Sequence, residues 1–237
     1  MKNGVAVVLQ ARMGSVRLPG KSLAAIQGRT ILGHCIERLR SRSELPVIVA
    51  TTTLEEDDVL AAEAARCGAP IVRGSASDVL SRFALAANMF DLHTVIRATA
   101  DNPAVDMDAP LRTLDLLQRT GAGHIVEHGL PYGCAVEAIS VDAIRDANAT
   151  ATLEYDREHV TPFIKRERRF NALDALAPAD VRRSELRLTI DTQEDLDFVR
   201  CVYACAERNG GPPPLPELIA AADRLADAEP EQGADVR

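Results

Sequence analysis

The stretch Val5-Ala6-Val7-Val8-Leu9-Gln10-Ala11-Arg12-Met13-Gly14-Ser15-Val16-Arg17-Leu18-Pro19-Gly20-Lys21 decides how this chain is read. Its first five residues are apolar without alternation, as expected of a central parallel strand buried on both faces. A loop carrying Gly, Pro and three cations follows. In open α/β sheets ligands bind beyond the carboxyl ends of the strands, and this loop leaves a strand there. Gly14 and Gly20 let backbone N–H groups approach an anion closely. Arg12, Arg17 and Lys21 add charged donors suited to a triphosphate. Two familiar phosphate loops fail on spacing. There is no GxGxxG. The run from Gly14 to Gly20-Lys21-Ser22 has one residue too many for a P-loop, contains Pro19, and predicts no helix at Lys21.

Outward from this stretch, β and α patterns alternate. Strands are expected at 47–50, 71–72, 94–97 and 186–190. Helices are expected from the N-cap Thr30, from the acidic turn Glu55-Glu56-Asp57-Asp58 to Gly68, and over 77–90, 108–120 and 192–208. That alternation predicts a mostly parallel sheet with helices on both faces. Residues 121–140 change pattern and read as antiparallel strands, possibly forming a flap. Further helices are expected from Val141 and Tyr155, with a strand near Phe170. Gly210-Gly211-Pro212-Pro213-Pro214 closes the main unit. A C-terminal helix (216–226) and an acidic tail follow.

The chain has 237 residues, 46% of them hydrophobic and 26% charged, the balance of an ordinary globular protein. Its net charge of −8 argues against nucleic acid as a partner. No apolar run approaches membrane-spanning length, and the N-terminus reads as a strand rather than a signal peptide. The charge is uneven: residues 1–50 carry eight Lys/Arg against two Glu. Arg38, Arg40 and Arg42 suit a solvated helix face, whereas the loop cations imply a local anion site. Five scattered cysteines fit cytoplasmic thiols better than a disulfide framework. Cys201 and Cys205 share a helix face with Phe198 and Val202 and are read as core. His124 and His128 have a zinc-like spacing but sit in a strand-like HIVEH without a third ligand.

The string QARMGSVRLPGKSL resembles the signature of the cytidylyltransferases that activate sugar acids, a family that includes Kdo, acylneuraminate and spore-coat polysaccharide nucleotidyltransferase-like proteins. The resemblance continues through VIVATTT (47–53), VRGSASDVLSRF (72–83), RATADNPAVD (97–106), REHVTPFI (157–164) and LRLTIDTQEDLDFVR (186–200). It implies a Rossmann-like three-layer αβα fold of the nucleotide-diphospho-sugar transferase (GT-A-like) kind, usually dimeric. Residues 1–209 would form the nucleotidyltransferase domain, with a flap and dimer or acceptor region at 121–165. Residues 210–237 would add the helix and tail. The implied reaction uses CTP, transfers CMP to an acidic acceptor and releases pyrophosphate.

Nucleotidyl transfer needs an electrophilic α-phosphate and a neutralised leaving group, commonly through Mg²⁺ on carboxylates. Asp101 and Asp191 each follow an expected strand, and the resemblance assigns the metal to the same two positions. Asp191 could alternatively cap the helix that follows it, whereas Asp106 and Asp108 read as turn and cap residues. Lys21 is the candidate for stabilising the α-phosphate, with Arg12 and Arg17 on the β- and γ-phosphates. Nucleotide binding is expected at Leu9, Ala11, Arg12, Met13, Gly14, Ser15, Lys21 and Asp101, and in a base loop of Gly74, Ser75 and Asp78. Acceptor binding is expected at Glu137, Arg157 and His159. Ala135 stands where the family often has an acidic residue, which keeps a phosphonate or phosphorylated acceptor open. A GT-A glycosyltransferase would need a DxD motif, which Asp101-Asn102-Pro103 is not. A silent regulatory subunit would be expected to lose Lys21, Asp101 or Asp191.

Overall fold

A computed structural model of the chain describes residues 4–206 and 211–228. Nine strands form among these residues: β1 Val5–Gln10, β2 Ala25–Ile26, β3 Arg29–Thr30, β4 Val47–Thr52, β5 Ile71–Gly74, β6 Thr94–Thr99, β7 His124–His128, β8 Glu137–Ser140 and β9 Ala172–Leu176. Seven of them make one sheet in the order β5-β4-β1-β6-β8-β7-β9, and β2 with β3 make a separate antiparallel pair. All neighbours in the large sheet are parallel except where β8 runs against β6 and β7. The chain winds one way from β1 to β4 and β5, then the other way to β6. The carboxyl ends of β1 and β6 therefore flank a crevice at the point where strand order reverses, the usual ligand position in such sheets.

Among the described residues nine α-helices flank the sheet: α1 Ile31–Ser41, α2 Asp58–Arg66, α3 Val79–Met89, α4 Ala109–Thr120, α5 Val141–Thr150, α6 Glu154–His159, α7 Pro162–Arg166, α8 Gln193–Cys205 and α9 Leu215–Ala228. The side chains of β1 alternate between two cores. Val7 and Leu9 pack with Leu32, Val199 and Leu218 on one face. Ala6 and Val8 pack with Leu80, Phe83 and Ile144 on the other. Full burial of each large aliphatic side chain contributes roughly 1.5–3 kcal/mol, which explains why this strand tolerates no polar alternation. Thr30 caps α1 as expected, accepting from the Gly33 N–H at 3.0 Å. α9 adds Leu215, Leu218, Ala221 and Ala222 to the first core. The tail from residue 229, and the end of the helix expected over 192–208, lie outside the described residues. Among the described residues no helix is long and apolar enough to cross a membrane.

Four expectations are corrected. Residues 186–190 do not form a strand. They run extended beside an irregular loop, bridging Tyr132 to Arg187, because β8 already occupies the far edge of β6. The antiparallel residues of 121–140 are built into the main sheet rather than standing off as a flap. Lys21–Leu23 does form a single 3₁₀ turn, entered through Gly20 in the left-handed region. Cys201 and Cys205 are exposed, since α8 buries Leu196, Val199, Val202 and Tyr203 instead.

Arg38 departs furthest from its expected place on a solvated face. It is fully buried, and its guanidinium donates to the Val105 carbonyl at 2.8 Å and the Pro213 carbonyl at 2.5 Å. It thereby ties α1 to the turn before α4 and to the segment entering α9. Arg42, by contrast, is exposed. Arg38→Ala should cost on the order of 3 kcal/mol in urea unfolding, since charge-assisted bonds to buried carbonyls are lost. Arg42→Ala should stay within about 0.5 kcal/mol of the parent. Equal effects of the two changes would contradict the buried assignment.

Candidate active site

The crevice between the ends of β1 and β6 opens into a cleft of ≈ 890 Å³. At its base, Lys21 Nζ makes three hydrogen bonds: to Asp101 Oδ2 at 3.2 Å, Asp191 Oδ1 at 3.0 Å and the Ile190 carbonyl at 2.6 Å. An ammonium has three donors, so all of them are used. Asp101 is set by the tight turn after β6, where its Oδ1 accepts from Thr99 Oγ1 at 2.5 Å. The Ile190 N–H donates to the Asp101 carbonyl at 2.9 Å, which brings the 186–190 segment alongside. Arg187 and Arg17 hold Asp191 Oδ2 at 2.7 and 3.1 Å. Burial works to raise the Asp191 carboxyl, but Lys21, Arg187 and Arg17 outweigh it and hold the group below the usual carboxylate range. The cap of α8 belongs to Thr192, which accepts from Asp195 in a reciprocal capping box. Asp191 therefore has no capping duty.

The cationic loop is shaped by a residue that the sequence reading took for an ordinary first-turn acid. Asp57 is fully buried. It accepts from the Met13 N–H at 2.7 Å, and from both the N–H and hydroxyl of Thr52. Ser15 and Gly20 N–H groups turn back to the Met13 carbonyl. The Met13 amide is thus engaged within the loop, and Leu9 lies in the core. Ala11, Arg12, Gly14, Ser15, Arg17 and Lys21 line the cleft. Arg12 reaches across it to Glu158 at 3.4 Å.

The expected base loop and the expected acceptor residue Arg157 meet each other instead of the cleft. Gly74, Ser75, Asp78 and Arg157 are absent from the cleft lining. Asp78 caps α3 through the Ser81 N–H at 2.9 Å, and its second oxygen pairs with Arg157 Nη2 at 2.6 Å. Arg82, which the sequence reading passed over, does line the cleft. It is almost wholly buried and donates to the Ser75 and Ala76 carbonyls. A single Arg among Val79, Leu80, Phe83 and Ala84 was the available signal.

Farther along the cleft, Glu137 is buried in direct register with Arg97 on the neighbouring strand. Its carboxylate accepts from Arg97 Nη1 at 2.6 Å, Thr161 Oγ1 at 3.1 Å and Lys165 Nζ at 2.6 Å, and meets His124 Nε2 at 3.1 Å. Burial favours the neutral acid, but Arg97, His124 and Lys165 reverse this and hold the carboxyl well below its ordinary value. His159 borders the same region, its ring tilted against that of Tyr155 with centroids 4.4 Å apart.

Residues 6–209 match the family model described as Cytidylyltransferase. This chain is a member of the cytidylyltransferase family. The spore coat polysaccharide biosynthesis protein SpsF of Bacillus subtilis is 31% identical over 246 residues, covering 98% of this chain and all of SpsF. A cytidylyltransferase structure from Leptospira borgpetersenii superposes with a TM-score of 0.86 at 27% identity, covering 99% of this chain and 100% of that one. The fold is also that of CMP:2-keto-3-deoxy-manno-octonic acid synthetase complexed with CTP, at a TM-score of 0.64 and 16% identity over 84% of this chain and 98% of the other. The chain is thus a nucleotidyltransferase enzyme of the cytidylyltransferase type.

The depressed Glu137 carboxyl gives this cytidylyltransferase a signed pH dependence. A folded-state pKa below the unfolded value of about 4.3 adds stability above that value, and the contribution disappears as pH falls through the folded pKa. Glu137→Gln should therefore be less stable than the parent at pH 7, and the gap should narrow as pH drops below about 4. Urea midpoints measured from pH 7 to pH 3 test this. A gap constant over the whole range would contradict it.

Proposed function

We propose that this cytidylyltransferase moves the CMP group of CTP onto an acidic small molecule with release of pyrophosphate, acting as a cytoplasmic homodimer with Mg²⁺. The observation that carries the reading is the convergence of Asp101 and Asp191 on Lys21 at the base of a large cleft. An acceptor hydroxyl oxygen attacks the α-phosphorus, the bond to the β-phosphate oxygen breaks, and the hydroxyl proton passes to solvent. Arg12 and Arg17, half-exposed at the cleft wall, are suited to the β- and γ-phosphates. Lys21 would exchange one carboxylate partner for an α-phosphate oxygen and stabilise the charge developing there. Ser15, Gly14 and the backbone of Ala11 would border the nucleotide. Arg82 would hold the Ser75–Ala76 backbone of the base loop.

Asp101 and Asp191 fit a hard divalent cation, because both already present carboxylate oxygens to a shared positive charge. Among the described residues no three His, Cys, Asp or Glu side chains form a metal cage. Two carboxylates completed by phosphate oxygens and water is a common way to hold Mg²⁺. When bound there, the ion would neutralise charge on the triphosphate and leaving group.

Pyrophosphate release should be fastest with CTP when the four nucleoside triphosphates are compared across a panel of sugar acids. Equal rates with all four would overturn the cytosine preference while sparing the triphosphate site. Asp191→Asn should fold normally but need several-fold more Mg²⁺ for half-maximal rate. An unchanged Mg²⁺ dependence would remove Asp191 from the metal site.

A further inference from the structure

Three consecutive residues of α6 are tied to three different parts of the molecule. Asp156 is fully buried and pairs with Arg166 of α7. Arg157 pairs with Asp78 at 2.6 Å, and donates to Asn148 Oδ1 at 2.9 Å and to the Asn148 and Ala151 carbonyls at 3.2 and 3.0 Å. These two residues fasten the helix to α7, to the start of α3 and to the end of α5. Glu158 reaches into the cleft instead. Its partner there is Arg12 of the loop after β1, at 3.4 Å, with side chains 43% and 50% exposed.

The far end of α6 is held as firmly. Val160 is fully buried and takes φ 70 and ψ −56, and the Thr161 N–H donates to the His159 carbonyl at 2.8 Å. A β-branched residue in such a γ-turn is an outlier that persists only where its surroundings over-determine it. Glu158 therefore stands on a fixed support, whereas Arg12 stands on a loop.

The two arginines of that loop are bound differently. When Arg17 leaves Asp191, the carboxylate keeps Lys21 at 3.0 Å and Arg187 at 2.7 Å. When Arg12 leaves Glu158, no other cation among the described residues is paired with Glu158. An unmatched carboxylate then remains at the cleft wall and favours the return of Arg12. The pair is exposed and therefore weak, so a polyanion in the cleft can break it.

We infer that Glu158 is a positioning residue that competes with the β- and γ-phosphates for Arg12 and thereby speeds the departure of pyrophosphate. This rests on the proposed placing of Arg12 on those phosphates and deepens it. CTP keeps its hold through the rest of the nucleotide. Pyrophosphate, once cut from CMP, depends on the loop cations, so the competition weighs on the product.

The test titrates full-length protein calorimetrically with pyrophosphate and CTP, each with Mg²⁺, and with CMP. Glu158→Gln should bind pyrophosphate and CTP about fourfold more tightly, the scale of one exposed ion pair no longer in competition. CMP, which has no β- or γ-phosphate, should bind as it does to the parent. Pyrophosphate dissociation, followed by stopped-flow, should slow by a similar factor. Arg12→Met should weaken pyrophosphate about tenfold, and adding Glu158→Gln to it should change little, because the two residues act through one contact. An equal gain in both backgrounds would reduce Glu158 to simple charge repulsion and overturn the inference. So would a Glu158→Gln variant that binds pyrophosphate like the parent or more weakly while Arg12→Met still weakens it. If Arg12→Met binds pyrophosphate and CTP like the parent, the placing of Arg12 on the phosphates falls as well.

Discussion

The three hydrogen bonds of Lys21 Nζ are the interaction on which the rest of the site depends. They join a residue from the loop after β1, one from the turn after β6, and a segment ninety positions farther along the chain. Two partly buried carboxylates side by side would repel, and an unpaired ammonium at 11% exposure would be costly to desolvate. Each charge is tolerable there because the others are present. The cation and both anions are thus already in place at the base of the cleft.

Supports around this centre extend towards the Glu137 end of the cleft. Arg187 holds Asp191 and Asp195, and its guanidinium lies 5.0 Å from the Tyr132 ring centroid. Tyr132 belongs to the loop that carries Gly133, where φ is +97° and a Cβ would stand 2.7 Å from the Thr189 nitrogen. A glycine is required for that approach. This loop of the cleft wall is thereby pinned against the extended segment that delivers Asp191. Geometry at one end of the cleft is thus transmitted to the other through packed backbone and one cation–π contact.

Much of this was legible in the sequence. Apolar runs marked the buried strands, and the end of β6 marked the place of Asp101. Asp191 was put in the same crevice through a strand at 186–190 that does not form, and Lys21 was not read as sitting between the two. The residues that escaped are charged groups whose burial depends on distant partners. Asp57 looked like a helix-turn acid but anchors the Met13 amide. Arg38 looked solvated but holds carbonyls from two other segments. Arg157 and Asp78 were assigned to opposite ends of the site, yet they pair with each other. Local pattern reports which faces are apolar, whereas the pairing of buried charges is decided by tertiary geometry. Residues 186–190 mark the same limit. Their apolar content signalled a strand, but sheet pairing depends on which edge is free.

The most direct measurement is a double-mutant cycle on single-turnover pyrophosphate release, using Lys21→Met, Asp101→Asn and the combined variant. If Lys21 and Asp101 act as one electrostatic unit, the combined variant should be about as slow as the slower single one, because residues that act together are strongly non-additive. Losses that simply multiply would show two independent groups and contradict the shared-charge account.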